Sequence, residues 1–296
     1  MRLRPGDRVL DLGSGLGQLT RAMARQVQPD GWVLGVERET DQFEEAQRRA
    51  RLSSHGSVVE FRLGEAESPP LTDAEWESFD VAHARFVLEH LADPQAAVRA
   101  MTRAVRPGGR VILEDDNHEL LRLWPPLPEI ERLWRAYIDT WQSLGNDAFV
   151  GRRLTTLLGE SGAEPRRSDM LFFGGCAGEA TFEAYMANFV GILEGARLAM
   201  IDATDWTDDQ IDGALDRFWR WSRQPDAALW YATCWAEGVR PAAAGDGSSA
   251  ESFDQGPSEW QPSAPGPELA ERLEFHPPRT MLAVLAESAA ALSSSR

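Results

Sequence analysis

Cysteine is nearly missing: Cys176 and Cys234 are the only two in 296 residues. Two thiols build no disulfide framework, so both are expected to be reduced and buried. Long apolar runs are missing too. None reaches the roughly 18 residues that a membrane span needs. The opening Met-Arg-Leu-Arg-Pro-Gly-Asp holds no apolar signal core. These absences predict a cytoplasmic protein with no membrane contact. Positive charge is scarce: 30 Lys+Arg stand against 47 Asp+Glu, a net charge of -17. No basic run interrupts that balance, and a phosphate backbone is repelled by it, so nucleic acid is disfavoured as a partner.

What the chain does have is 43% hydrophobic residues, enough for one large domain or a domain with a lid. The most informative stretch is Arg8-Val-Leu-Asp-Leu-Gly-Ser-Gly-Leu-Gly-Gln-Leu-Thr20. Val9 to Leu12 read as a short buried strand, and Gly13, Gly15 and Gly17 as a tight turn. Leu19, Ala22, Met23 and Ala24 then fall at helical spacing. A strand, a glycine turn and a helix form the nucleotide-binding corner of an open alpha/beta sheet. Glycines there adopt positive φ and let a ligand approach the backbone. The dinucleotide fingerprint needs a third glycine where this chain has Gln18.

The G-x-G-x-G pattern with Asp11 before it resembles motif I of the Rossmann-like, S-adenosylmethionine-dependent methyltransferases. Further pieces follow in that family's order. Glu37 ends a second strand, Trp32 to Val36, where an acid accepts both ribose hydroxyls. A third strand spans Val58 to Leu63 and precedes Gly64-Glu65-Ala66-Glu67. A fourth, Phe79 to His83, leads into Ala84-Arg85-Phe86-Val-Leu-Glu-His90-Leu-Ala-Asp93-Pro94. Arg106-Pro-Gly-Gly109 opens onto a fifth, Arg110 to Glu114. The resemblance implies a seven-stranded, mostly parallel Rossmann-like sheet with an antiparallel last strand. It implies S-adenosylmethionine as cofactor, S-adenosylhomocysteine as product and a small-molecule methyl acceptor. It carries cofactor contacts onto Asp11, Gly13, Ser14, Gly15, Gly17, Gln18, Glu37, Arg38, Ala84 and Arg85, and onto Ala66 with Glu65 or Glu67 at the adenine. His90 is read as structural, buried and hydrogen-bonded.

Asp116-Asn117 at the end of the fifth strand resembles the metal site of catechol-type O-methyltransferases. The acid those enzymes place after the fourth strand is absent here, where the chain reads Ala82-His83-Ala84-Arg85. No metal is therefore expected, and substrate binding or helix capping is the better reading of the pair. If the acceptor must lose a proton, the candidate bases are His83, His118, His276 and Asp116.

The expected division has a cofactor-binding core over residues 1–119 and a helical lid segment over 120–150. Core returns as a helix and sixth strand over 151–174, a helical lid insertion follows over 175–228, and the last strand covers 229–241. Trp124, Tyr137, Trp141, Tyr185 and Phe189 are the candidates for an apolar acceptor pocket. Residues 242–267 read as a Pro/Gly/Ser linker. Residues 268–296 return to helical character and resemble the segment that usually precedes the first strand. That suggests a circular permutant, or an exchange of this segment in a homodimer, bringing Phe275, His276 and Arg279 near the site. The competing functions are a nicotinamide-dependent oxidoreductase and a catalytically inactive cofactor-binding partner protein.

Overall fold

A computed structural model describes residues 1–53 and 56–242. Its centre is a twisted sheet: β1 (Arg8–Leu12), β2 (Trp32–Glu37), β3 (Val59–Leu63), β4 (Phe79–Arg85), β5 (Val105–Asp116), β6 (Arg122–Trp124), β7 (Glu164–Cys176) and β8 (Ala228–Val239). The order is β3-β2-β1-β4-β5-β8, with β7 beyond β8. The first five strands are parallel. β8 runs antiparallel to both β5 and β7. The expected sheet is thus present with one addition. The short β6 pairs with Ala228–Trp230 of β8, past the point where β5 ends. The fifth strand also begins earlier than expected, at Val105, with Arg106 to Gly109 bulging out of the β4 pairing through Gly108 at a φ of 79°.

Helices join the parallel strands: α1 (Gln18–Val27), α2 (Thr40–Arg51) and α3 (Pro94–Ala104). Pro94 at the first helical position and Asp93 accepting from the Ala96 N–H explain where α3 starts. Alternation along the strands sends successive side chains to opposite faces. Leu10, Leu12, Leu34, Val36, Ala82, Ala84, Val111 and Leu113 form one core with α3 and with α5 (Leu154–Glu160). Val9, Val33, Val81 and Ile112 form another with Met23, Ala24 and Val27 of α1.

A third cluster is built differently. It combines α4 (Pro128–Ser143), α6 (Ala180–Gly195), α7 (Arg197–Ala203) and α8 (Asp208–Trp221) with Leu229 and Tyr231 of β8. This all-helical layer covers the end of the sheet where β5 stops. α8 opens with a reciprocal capping box between Thr207 and Gln210. Cys234 is buried, but Cys176 is exposed, since it ends the edge strand β7; both are free thiols. The expectations for the linker and for Phe275, His276 and Arg279 fall outside the described residues.

Candidate active site

The strand order reverses between β1 and β4, and open alpha/beta sheets bind ligands at such a switch point. A cleft opens beside it. Its walls are Gly13 from the turn after β1, Val36 to Glu39 and Gln42 from the β2–α2 junction, Gly64 to Ala66 after β3, and Phe86, Val87, His90 and Leu91 after β4. Gly13, Gly15 and Gly17 have φ of 66°, 54° and 68°, the left-handed region that suits glycine. A Cβ at Gly13 would meet Val87 Cγ2 at 2.2 Å, so the turn also needs glycine for its packing on the β4 segment.

Glu37 is anchored at the cleft floor. Oε2 accepts from the Gly15 N–H at 2.7 Å, and Oε1 accepts from the N–H groups of Arg38 at 2.9 Å and Glu39 at 3.0 Å. Of the expected cofactor residues, Gly13, Glu37, Arg38, Glu65 and Ala66 line the cleft. Glu65, not Glu67, is the acid that faces it. The others lie elsewhere. Ser14, Gly15 and Gly17 shape the turn behind the cleft wall, and Gln18 is exposed at the start of α1. Ala84 is in the sheet core, and Arg85 pairs with Glu114 at 3.2 Å.

Asp11 is buried and engaged twice. Oδ2 accepts from the Thr20 hydroxyl at 2.6 Å, and Oδ1 lies 2.9 Å from His83 Nδ1. His83 sits opposite Asp11 in the β1–β4 register. It is therefore a clamp within the sheet, and its place among the candidate bases is corrected. The structural reading of His90 also needs correction. It lines the cleft, its Nδ1 has no hydrogen-bond partner, and burial lowers it to about 4, so it is neutral.

A second polar group lies at the junction of the sheet with the helical layer. His118 follows β5, and its ring is fully enclosed. Its Nε2 lies 3.0 Å from Glu89 Oε2. Its Nδ1 lies 3.2 Å from the Tyr231 hydroxyl, which donates to Asp116 Oδ1 at 2.9 Å. Burial lifts Glu89 to about 8, with Asp147 adding to the rise and the Trp141 indole opposing it. Burial also lifts Asp116 to about 8, aided by Glu89. Burial lowers His118, so the imidazole is neutral. Among the described residues, no arginine pairs with Glu89, Asp115 or Asp116. Asp115 instead accepts the N–H groups of Val87 and Leu88, tying the end of β5 to the cleft segment. Asn117 caps the turn after β5 and accepts from Arg152 at 3.2 Å.

The expected pocket residues divide. Tyr137, Trp141 and Phe189 join Trp134, His118 and Tyr231 in one buried aromatic group. Trp124 does not, being 58% exposed on β6. Tyr185 stacks on Phe173 at 5.9 Å, and Phe173 lies 5.5 Å from Tyr231, so Tyr185 sits at the partly buried edge of that group. Glu89 and Tyr231 were not singled out by sequence. Glu89 sat within a recognised segment, but only the fold reveals its neighbour 29 positions away.

Residues 3–146 match the family model described as a methyltransferase domain. Over that stretch the chain resembles a methyltransferase domain, with a Rossmann-like sheet. Relatives agree. A ubiquinone/menaquinone biosynthesis C-methyltransferase of Cupriavidus taiwanensis is 33% identical over 49% of this chain and 57% of its own length. A 2-phytyl-1,4-naphtoquinone methyltransferase of Synechococcus elongatus is 30% identical over 47% and 55%. An uncharacterized 37.1 kDa protein of a Streptomyces fradiae transposon is 32% identical over 54% and 44%. The chain thus spans about half the length of the curated relatives it matches. Among solved structures, a Bacillus halodurans protein provisionally assigned as a methyltransferase superposes with a TM-score of 0.53 at 17% identity, covering 81% of this chain and 95% of its own. The 4+2 cyclase SpnF gives 0.51 at 20% identity, covering 81% and 78%. At those identities the likeness concerns the fold.

Proposed function

We propose that the protein transfers a methyl group from S-adenosylmethionine to a small aromatic or apolar acceptor. The observation that carries this reading is the cleft at the switch point. The glycine turn, Glu37 and the Gly64–Ala66 turn all meet there, inside a matched methyltransferase domain. Glu37 takes the ribose hydroxyls, Glu65 and Ala66 the adenine edge, and Arg38 lies along the ring. The turn after β1, which Asp11 holds in place through Thr20, lies toward the methionine end. The cofactor supplies a methyl group on a cationic sulfur. The protein contributes alignment for in-line displacement and a dry surround.

The helical layer serves as the lid over the acceptor, with Tyr137, Trp141 and Phe189 toward the ring and the Asp116–His118 turn beneath. The layer is supported as a unit by its own hydrophobic cluster. Quinone-type acceptors are named for two relatives, and a flat ring suits this aromatic lining. A homodimer fits the edge strand β7, where Met170, Leu171 and Phe172 are exposed. A cytoplasmic location fits two free thiols, and no helix among the described residues is long and apolar enough to cross a membrane.

Calorimetry tests the core of the reading. Binding of S-adenosylhomocysteine and indifference to NAD are expected. A grip on NAD without affinity for S-adenosylhomocysteine would replace it by the oxidoreductase reading. Binding without turnover on any acceptor would leave a non-catalytic partner protein.

A further inference from the structure

The hydrogen-bond chain at the end of β5 has a direction that its surroundings dictate. Glu89 is almost fully buried at 1% exposure, and no cation compensates it among the described residues. A neutral Glu89 donates to His118 Nε2; Nδ1–H of the same ring then donates to Tyr231, and Tyr231 donates to Asp116. Every hydrogen in that sequence moves one step if a proton enters at Glu89 and Asp116 receives the last one, which requires the ionised Asp116 that is populated from about pH 8 upward. Glu89, Asp116 and His118 each bring one donor atom within 4.8 Å of the others, as metal ligands would. However, Glu89 approaches the Nε2 edge of the imidazole, and Tyr231 carries Asp116 to the Nδ1 edge. One ion on one ring nitrogen does not replace both contacts, whereas shared protons account for both.

The Glu89 end borders the cofactor cleft. Glu89 Oε1 is 3.6 Å from His90 Nε2, and His90 lines that cleft. Around this end, the buried polar atoms His90 Nδ1 and the Tyr137 hydroxyl have no hydrogen-bond partner. Buried polar atoms without partners are rare, and two together mark a missing polar group. Trp141, whose ring meets that of His90 edge-on at 5.3 Å, and Tyr137, stacked on Trp141, supply flat apolar surface beside them.

We propose that Glu89, His118, Tyr231 and Asp116 form a proton relay that accepts the hydroxyl proton of a hydroxyaromatic acceptor during methylation. This rests on the methyl-transfer reading above and narrows its substrate class. The acceptor O–H gives its proton to Glu89, whose own proton passes to His118 Nε2. The Nδ1 proton passes to Tyr231 and the Tyr231 proton to Asp116, which ends neutral. The electron pair released forms the bond to the methyl carbon, and the C–S pair stays on sulfur as a neutral thioether. Where a conjugated ring carbon takes the methyl group, the ring proton it loses returns to the acceptor oxygen.

The test gives full-length protein S-adenosylmethionine with phenol, 4-nitrophenol and 1,4-naphthohydroquinone, and follows methylated product by mass spectrometry. Glu89→Gln and Tyr231→Phe keep side-chain shape but break the relay, and Asp116→Asn breaks its far end if either of those does not fold. S-adenosylhomocysteine affinity is expected to stay within about twofold. Turnover on phenol falls about 100- to 1000-fold, the usual worth of acid–base catalysis. The loss shrinks at least about tenfold on 4-nitrophenol, whose hydroxyl ionises without help. Three results overturn the relay: an equal loss on every acceptor, wild-type protein that binds S-adenosylhomocysteine but methylates no hydroxyaromatic, or a tightly bound divalent ion whose removal abolishes turnover. Wild-type protein that fails to bind S-adenosylhomocysteine sinks the methyl-transfer reading itself.

Discussion

At the scale of single residues, the site depends on side chains with no freedom to change. Gly13 combines a φ of 66° with a Cβ position 2.2 Å from Val87 Cγ2. Alanine there pays the left-handed penalty of about 1–2 kcal/mol and pushes Val87 away from Asp115. Gly13→Ala is expected to lower S-adenosylhomocysteine affinity at least about tenfold, by calorimetry, together with a fall in melting temperature. Glu89 makes a pH prediction. Its folded value, about 8, lies above its ordinary 4.5, so the folded state holds the proton more tightly. Stability from this group is complete below about pH 4.5 and drains as pH rises to 8, at up to about 1.4 kcal/mol per pH unit. Asp116 drains in the same direction from 3.8 to about 8. Asp115, lifted by burial, drains in the same direction, so Glu89→Gln removes one of three losses. Urea unfolding at pH 5, 6.5 and 8 should show a shallower decline in the variant, and parallel declines would contradict the assignment.

At the scale of elements, the sheet was largely legible because its strands carry strong local signals. Five hydrophobic strands, glycine turns and Pro94 at a helix start all act within a few residues. Less was legible where pairing decides the outcome. Arg106 to Gly109 looked like a turn ahead of the strand, yet the strand starts before them at Val105, which pairs with Phe79 before the register shifts to Val81 and Arg110. β6 exists only because β8 outruns β5 and leaves room beside Ala228–Trp230. Gly151 illustrates the same dependence. A Cβ there would meet the Asp116 carbonyl oxygen at 2.7 Å and that of Asp115 at 3.0 Å. Gly151→Ala is expected to displace the end of β5 at a cost of about 1–3 kcal/mol, read by denaturant unfolding. Thr207→Ala removes the α8 capping box and should cost about 1 kcal/mol. Its mark would be faster hydrogen exchange in the first turn of α8, with β1 to β4 unchanged.

At the scale of the whole molecule, two kinds of packing meet. The parallel sheet carries the switch-point cleft, and the helical layer covers the end of β5. The relay residues all come from the sheet, Glu89 and His118 from its loops, Asp116 from β5 and Tyr231 from β8, while Tyr137 beside them comes from α4 of the helical layer. A protein ending at residue 242 tests whether the rest of the chain completes the cofactor site. At least about a tenfold loss of S-adenosylhomocysteine affinity is expected, and unchanged affinity would dispose of the permutation and exchange readings alike.

The amino-acid sequence alone determined the class of fold, the glycine turn and the acid at the tip of β2. Each is a short-range property, set by backbone freedom, side-chain alternation or a helix start. Only the tertiary structure decided what Asp11, His83 and Glu89 do. Asp11 and His83 are 72 positions apart yet 2.9 Å from each other, and Glu89 finds His118 across a helix and a strand. A buried ionisable group takes its role from the dielectric and the partners around it, and those are assembled by packing.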